Sequence, residues 1–341
     1  MKLRKAAIRG IKVYLPPTQL TNDQLVEEFG DPTITKIFEN IGIESRRIAG
    51  PAECASDLGV RAAQELLNNS NWTSSDIDFL LFCTQTPDYF LPASACIMQK
   101  RLGLPMRCGA VDVNSGCAGF VHGLGLAKGL IETGQATNVL LITGETLSKT
   151  INPKDRSTRP IFGDGATATL ISALETEVEA IGPFSFGTDG QGAKDLIIPA
   201  GGWRIRPTPE TAREKIDPSG NIRSDQELFM DGAEIFNFAL DKVPKVVNQL
   251  LKKSQMDLTD VDFFIFHQAN KFLLEALRRK IKIPKEKFIV NLKRFANTSS
   301  STIPIALEMA LQEGKINKRD RCLLVGFGVG FSWAATMIII I

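Results

Sequence analysis

Asp76-Ile-Asp-Phe-Leu-Leu-Phe-Cys-Thr-Gln85 is answered late in the chain by Asp260-Val-Asp-Phe-Phe-Ile-Phe-His-Gln268. Each copy is an acidic turn running into a short apolar stretch, the pattern of a strand buried on both faces. Cys83 and His267 therefore hold equivalent strand ends. The correspondence continues in order: Val111-Asp-Val113 opens a strand-turn-helix unit as Val290-Asn-Leu292 does, and Gly134 and Gly314 close the helices that follow. Asn138-Val-Leu-Leu-Ile-Thr-Gly144 is echoed by Arg321-Cys-Leu-Leu-Val-Gly326, and Ala166-Thr-Ala-Thr-Leu-Ile171 by Ala334-Ala-Thr-Met-Ile-Ile339. One such match is unremarkable; four in the same order indicate two copies of one βαβ-rich unit.

Working outward, apolar β-branched runs predict strands near 5–13, 77–83, 109–114, 138–144, 165–173, 178–187, 261–267, 321–327 and 331–341. Helical periodicity predicts helices at 55–67, 92–102, 118–132, 232–252, 271–280 and 302–313. Alternating strands and helices of this kind make an α/β fold. The expected division is an N-terminal half, 1–187, a loop region, 188–230, and a C-terminal half, 231–341. The loop region holds Gly190, Gly192, Gly201, Gly202, Pro207, Pro209, Pro218 and Gly220. Its length suggests a lid, with Trp203, Leu228 and Phe229 near a pocket mouth.

Composition narrows the function. Lys and Arg total 40 against 38 Asp and Glu, a formal charge of +2, which gives no reason to expect a nucleic-acid partner. No apolar run reaches the length of a membrane span, and the basic N-terminal residues Arg4 and Lys5 are followed at once by Arg9 and Lys12 rather than a signal-peptide core. Six cysteines without a CxxC pair read as a reducing, cytoplasmic setting. With only two histidines, His122 and His267, no metal site is expected, and imidazole chemistry has two candidates.

Cys117, in Val111-Asp-Val-Asn-Ser-Gly-Cys-Ala-Gly-Phe120, falls between a strand and a helix. A thiol at a helix N-terminus gains from the dipole and from free N–H groups, which predicts a lowered pKa and a nucleophile. An isolated cysteine is otherwise a small apolar filler. His267 stands at the carboxyl end of a strand, the edge at which open α/β sheets place ligands. His122 lies five residues beyond Cys117 and faces away from it on a helix. Asn297, in Phe295-Ala-Asn-Thr-Ser-Ser-Ser301, occupies the second-half counterpart of the Cys117 turn, as a helix cap or an oxyanion donor. Two units packed about a pseudo-twofold axis would bring Cys117, His267 and Asn297 to one pocket. The glycine clusters 163–165 and 326–330 lack the Lys-Ser/Thr or GxGxxG context of a nucleotide site, so no cofactor is expected.

Together, Asp112-Val, Cys117-Ala-Gly-Phe120, Phe162-Gly-Asp-Gly-Ala166, Met230-Asp-Gly232 with Phe236, His267-Gln-Ala-Asn270, Asn297-Thr-Ser299 and Gly326-Phe-Gly-Val-Gly-Phe-Ser-Trp333 resemble β-ketoacyl-acyl-carrier-protein synthase III, a condensing enzyme of the thiolase superfamily. The resemblance implies a five-layer α-β-α-β-α sandwich of two duplicated halves and a homodimer. It implies an acyl-cysteine on Cys117 that condenses, with loss of CO2, with a malonyl thioester carried by acyl-carrier protein to initiate fatty-acid synthesis. His267 and Asn297 would stabilise the enolate, and the backbone N–H groups of Cys117 and of the Gly328-Val329 turn would form an oxyanion hole. Asn270, Gly232 and Phe236 would belong to the substrate site. Thioesters of coenzyme A or carrier protein would be substrates rather than cofactors. Asn297 in place of a second histidine, and Phe327 and Val329 in place of a second cysteine, separate the chain from elongating synthases and degradative thiolases.

Departures bear on substrate. Of the adenine-binding residues of initiating enzymes, only Arg156 has a match; Lys36 and Asn40 stand where Trp and Arg are usual, which points to carrier-protein delivery or a different coenzyme A pose. Leu91 falls where a bulky residue from the partner subunit often caps the acyl tunnel. Lys271, Arg278, Arg279 and Lys280 form a basic helix expected to dock an acidic carrier protein. The alternative within the superfamily is a synthase or acyltransferase of secondary metabolism, of the polyketide, quinolone or alkylresorcinol type.

Overall fold

The computed structural model describes residues 3–341, so the first two residues of the expected N-terminal half lie outside the described residues. Two five-stranded mixed sheets share one plan. The first contains β1 (Arg4–Tyr14), β2 (Phe79–Cys83), β3 (Gly109–Val113), β4 (Asn138–Glu145) and β5 (Gly165–Glu175), in the order β3-β2-β4-β5-β1. The second contains β6 (Ile181–Thr188), β7 (Phe263–Phe266), β8 (Phe288–Ile289), β9 (Arg321–Gly328) and β10 (Ser332–Ile339), in the order β8-β7-β9-β10-β6. In each sheet the first three strands of that order are parallel and the last two antiparallel. The repeated sequences thus occupy matching places: β2 with β7, β4 with β9, β5 with β10.

The pairing of β6 corrects one boundary. A strand over 178–187 was expected to end the N-terminal half, but Ile181–Thr188 pairs with β10 of the second sheet, with Phe186 opposite Ala334 and Gly187 opposite Trp333. It takes the place that β1 takes in the first sheet, so the halves divide in the turn at 176–180. Hydrogen bonding to a strand almost at the C-terminus outweighs proximity in sequence.

Six helices complete the layers: α1 (Ala55–Asn68), α2 (Ser94–Arg101), α3 (Gly119–Glu132), α4 (Gly232–Ser254), α5 (Lys271–Ile281) and α6 (Thr302–Gln312). Successive residues of a strand face opposite sides. In β2, Leu80 and Phe82 therefore pack outward against Val60, Leu66 and Met98 of α1 and α2. Leu81 and Cys83 face inward, toward Phe120, Val121 and Leu124 of α3. In β7, Phe264 and Phe266 meet Val243 and Val247 of α4 and Leu273 and Leu277 of α5. Ile265 faces inward, toward Ile303, Ala306 and Leu307 of α6. The middle layer is α3 and α6, buried between both sheets, and each fully buried Leu or Ile there contributes about 1.5–3 kcal/mol of transfer free energy. The molecule is an α-β-α-β-α sandwich.

Two short helices not foreseen from periodicity, Asn22–Phe29 and Thr35–Ile41, each end on a glycine with positive φ. The 188–230 region contains regular structure. It forms the ribbons Lys215–Ile216 with Ile222–Arg223 and Leu196–Ile197 with Phe229–Met230. Among the described residues no helix is long and apolar enough to cross a membrane.

Candidate active site

The middle layer brings strand ends and helix starts of both halves to one place. Cys117 lies in the turn between β3 and α3, and the N-cap of α3 is Ala118, so the thiol stands just outside the helix. The side chain is buried. Burial pushes the Cys117 thiol up to about 11, against opposing interactions with the Ser299 hydroxyl, 4.0 Å from Sγ, and the backbone N–H groups of Val329 and Cys117. The expectation of a lowered thiol pKa is therefore corrected: burial outweighs the hydrogen bonds that favour the thiolate.

The strand β9 passes directly over this turn. A Cβ on Gly328 would stand 2.7 Å from Cys117 Sγ, and one on Gly326 would stand 2.6 Å from Ala118 Cα, so only glycine permits this approach. The approach is what lets the Val329 N–H face the sulfur.

His267 follows β7 and continues its alternation into the middle layer, where Nδ1 lies 2.7 Å from Thr302 Oγ1 at the start of α6. The Thr302 hydroxyl donates to the Ser299 carbonyl at 2.9 Å, leaving its oxygen to accept from Nδ1–H and placing the free lone pair on Nε2. Burial pushes the imidazole down to about 3, so it is neutral near pH 7. Asn297 Nδ2 faces Nε2 at 3.5 Å. The orientation of that amide is fixed because its Oδ1 accepts the Ser299 N–H at 2.9 Å. The turn itself is stitched to the first half, Asn297 N–H donating to the Ile161 carbonyl and Gly163 N–H to the Asn297 carbonyl. Ser299 and Thr302 escaped the sequence reading as functional residues, although both lie in or beside the polar turn that singled out Asn297.

Cys117 lies where two cavities meet. One, of about 330 Å³, is lined by Cys117, His267, Asn297, Asn270, Gly232 and Phe236. The other, of about 320 Å³, is lined by Cys117, Thr86, Leu147, Leu196, Leu228 and Val329, among others. Larger grooves lie along α3 and between α5 and the N-terminal helices, but neither is lined by Cys117, His267 or Asn297. Two of the residues expected near a pocket mouth differ in placement. Leu228 lines the second cavity, whereas Trp203 is exposed, with the Arg206 guanidinium 3.8 Å from its ring centre.

The remaining candidates divide. Asn270 lines the first cavity while its side-chain oxygen caps α5, accepting the Leu273 N–H at 2.8 Å. Phe236 stacks on Phe272 at 5.2 Å between ring centres. Arg156 is absent from the linings of both cavities; its guanidinium is held by Asp31 at 3.0 Å and the Phe29 carbonyl at 3.2 Å. Leu91 is 78% exposed and lines neither cavity of its own chain. In the basic helix, Arg278 is held by two bonds to Glu275 and one to the Ile283 carbonyl, and Arg279 also binds Glu275. Lys271 and Lys280 are exposed. The expected four-cation docking face is therefore reduced, because Glu275 lies one turn before the two arginines. His122 pairs with Ser115 at 2.9 Å and packs on Phe186, apart from the Cys117 site.

This constellation has relatives. Residues 111–190 match the family model described as 3-oxoacyl-[acyl-carrier-protein (ACP)] synthase III, and residues 251–340 match its C-terminal counterpart. Beta-ketoacyl-[acyl-carrier-protein] synthase III of Caldanaerobacter subterraneus subsp. tengcongensis is 38% identical over 333 residues, covering 98% of this chain and 97% of that protein. The chain belongs to the β-ketoacyl-acyl-carrier-protein synthase III family.

It is accordingly a condensing acyltransferase with the thiolase-like fold. A 2.1 Å crystal structure of a 3-oxoacyl-(acyl-carrier-protein) synthase III superposes with a TM-score of 0.97 at 48% identity, covering 98% of this chain and 99% of that one. The 3-oxoacyl-(acyl-carrier protein) synthase from Burkholderia xenovorans LB400 superposes at 0.90 with 39% identity, covering 99% and 95%. These relatives favour the fatty-acid synthase reading over the secondary-metabolite alternative.

Proposed function

We propose that the enzyme transfers an acyl group from a thioester to Cys117 and condenses it with malonyl-acyl-carrier protein, releasing CO2 and a 3-oxoacyl thioester. The observation that carries the reading is the meeting of Cys117 from one half with His267 Nε2 and Asn297 Nδ2 from the other at the junction of two cavities. In the first half-reaction the Cys117 proton passes to the free lone pair of Nε2 as sulfur attacks the acyl carbonyl. The N–H groups of Cys117 and Val329 stabilise the oxyanion, and the proton leaves with the departing thiol.

In the second half-reaction the malonyl thioester carbonyl lies between Nε2 and Asn297 Nδ2. Between the half-reactions the imidazole loses its Nδ1 proton to solvent and gains one at Nε2, the Thr302 hydroxyl then donating to Nδ1, so that two donors meet the enolate oxygen as the C–CO2 bond breaks. The enolate carbon attacks the acyl-cysteine carbonyl, and the released Cys117 thiolate takes up one proton. The electrons come from the broken C–C bond, so this route requires neither metal nor redox cofactor.

The cavity containing Leu147, Leu196 and Leu228 suits the acyl chain, and the one containing Asn270, Gly232 and Phe236 suits the thioester arm. Lys271 and Lys280 remain as carrier-protein contacts, and Arg156 contributes to nucleotide binding only by giving up Asp31. The enzyme acts as a homodimer in the cytoplasm. In support of the dimer, β3 is an edge strand with Val111 exposed, and Tyr89, Phe90 and Leu91 form an exposed apolar run that in the partner would cap the acyl cavity.

The test is intact-mass spectrometry after incubation with a panel of acyl-coenzyme A and acyl-carrier thioesters. Wild-type enzyme gains one acyl group and Cys117→Ser gains none while keeping its circular dichroism. Acylation persisting in the variant would remove Cys117 from this role.

A further inference from the structure

Glu145, the last residue of β4, is fully buried and takes no part in the chemistry described above. Its carboxylate gathers groups from two loops. Both oxygens accept the Gln85 N–H at 3.1 Å, and the hydroxyls of Thr86, Thr84 and Ser300 approach at 2.9, 3.3 and 3.5 Å. Thr86 in turn accepts the Thr146 N–H at 2.9 Å, closing the cluster on the strand end.

Gln85 and Thr86 line the cavity assigned to the acyl chain. Ser300 follows Ser299, whose hydroxyl lies beside Cys117 Sγ, and packs against Gly119 at the start of α3. The carboxyl therefore stands where the acyl-cavity wall, the Asn297 turn and the nucleophile turn meet. Among the described residues no Lys, Arg or His forms an ion pair with it. The titratable groups that feel its charge are the Cys117 and Cys83 thiols, both raised by it; Asp112 acts on Cys83 as well. A buried, cation-free carboxyl is costly to keep unless its bonds organise something.

We propose that Glu145 is a positioning residue of the condensing site, holding the Gln85-Thr86 wall and the Ser299-Ser300 turn in register with Cys117. The inference rests on the acyl-cysteine reading above. Burial pushes the Glu145 carboxyl up to about 7, against the bonds from Gln85, Thr86 and Thr84, so its charge changes near neutrality.

The experiment follows acylation of Cys117 in the full-length enzyme by intact mass, with a short and a long straight-chain acyl-coenzyme A, from about pH 5 to 9. It compares wild type with Glu145→Gln, Glu145→Ala and Glu145→Asp. The isosteric Gln variant keeps the shape without the charge. It is expected to lose the inflection near neutrality and to move Cys117 alkylation by iodoacetamide to lower pH. The Ala variant is expected to acylate about tenfold more slowly or worse, with an altered ratio between the two chain lengths, and Asp to restore part of the rate.

A uniform loss of rate with the inflection and alkylation profile unchanged in Glu145→Gln would overturn the proposal and leave a packing role. If the Ala variant does not fold, the Gln variant alone decides. Wild-type enzyme that is not acylated at Cys117 would instead overturn the acyl-cysteine reading, and this inference with it.

Discussion

Glu145 and His267 oppose one another in their effect on stability. Glu145 is raised on folding, so its contribution is full below pH 4.5 and is lost as pH rises through about 7. His267 is lowered, so its contribution is full above pH 6.5 and is lost as pH falls toward about 3. Between pH 7 and 5 the two changes run in opposite directions, each on the order of 2 kcal/mol. Thermal melts should reveal each partner's absence: Glu145→Gln becomes less stable from pH 7 to 5, and His267→Ala becomes more stable. Parallel profiles for wild type and both variants would show that neither group is perturbed. Neither shift was legible in the sequence, which shows residue types but not how deeply the fold buries them; for the same reason the sequence pointed to a lowered pKa at Cys117.

At the scale of elements, the 188–230 region is fastened where it reaches the site. Arg223 bonds Asp155 at 2.6 Å and also binds Asp217, with Asp155 almost wholly buried. Asn152 donates to Glu214 and Glu227, and the Leu228 N–H donates to the Thr150 carbonyl at 2.8 Å. Removing one member of a buried ion pair costs about 3–5 kcal/mol, because the other charge is left without a partner. Arg223→Ala should therefore raise amide exchange across 208–228 while α3 and α6 stay protected, and should relax acyl-chain discrimination because the segment leading to Leu228 loses its tie to Asp155. Unchanged exchange in that segment would show that the pair does not hold it. The sequence displayed the segment's turns but not this latch, since Asp155 and Arg223 are brought together only by the fold. The repeated strands were legible because alternating and continuous apolar runs are local signals. The allegiance of β6 was not, because a strand's sequence does not name its hydrogen-bonding partner.

At the scale of the whole molecule, duplication explains why the site exists. Two copies of one unit, packed through α3 and α6, bring a strand-to-helix turn from each half to the same junction. In the mechanism proposed here one copy supplies the nucleophile, Cys117, and the other the donor, Asn297, with His267 reaching in from the end of β7. Cys117, His267 and Asn297 could be selected from sequence because the repeat gave them related positions. Glu145, Ser299 and Thr302 could not, because their importance lies in bonds across layers.

This division of labour predicts that the two half-reactions can be separated, and Asn297→Ala is the variant that separates them. The decisive measurement follows acyl transfer to Cys117 and CO2 release from a labelled malonyl-carrier thioester on the same preparation. Acylation should stay near the wild-type rate while CO2 release falls ~100-fold or more, the cost of losing one oxyanion donor. Equal losses in both half-reactions would contradict the account.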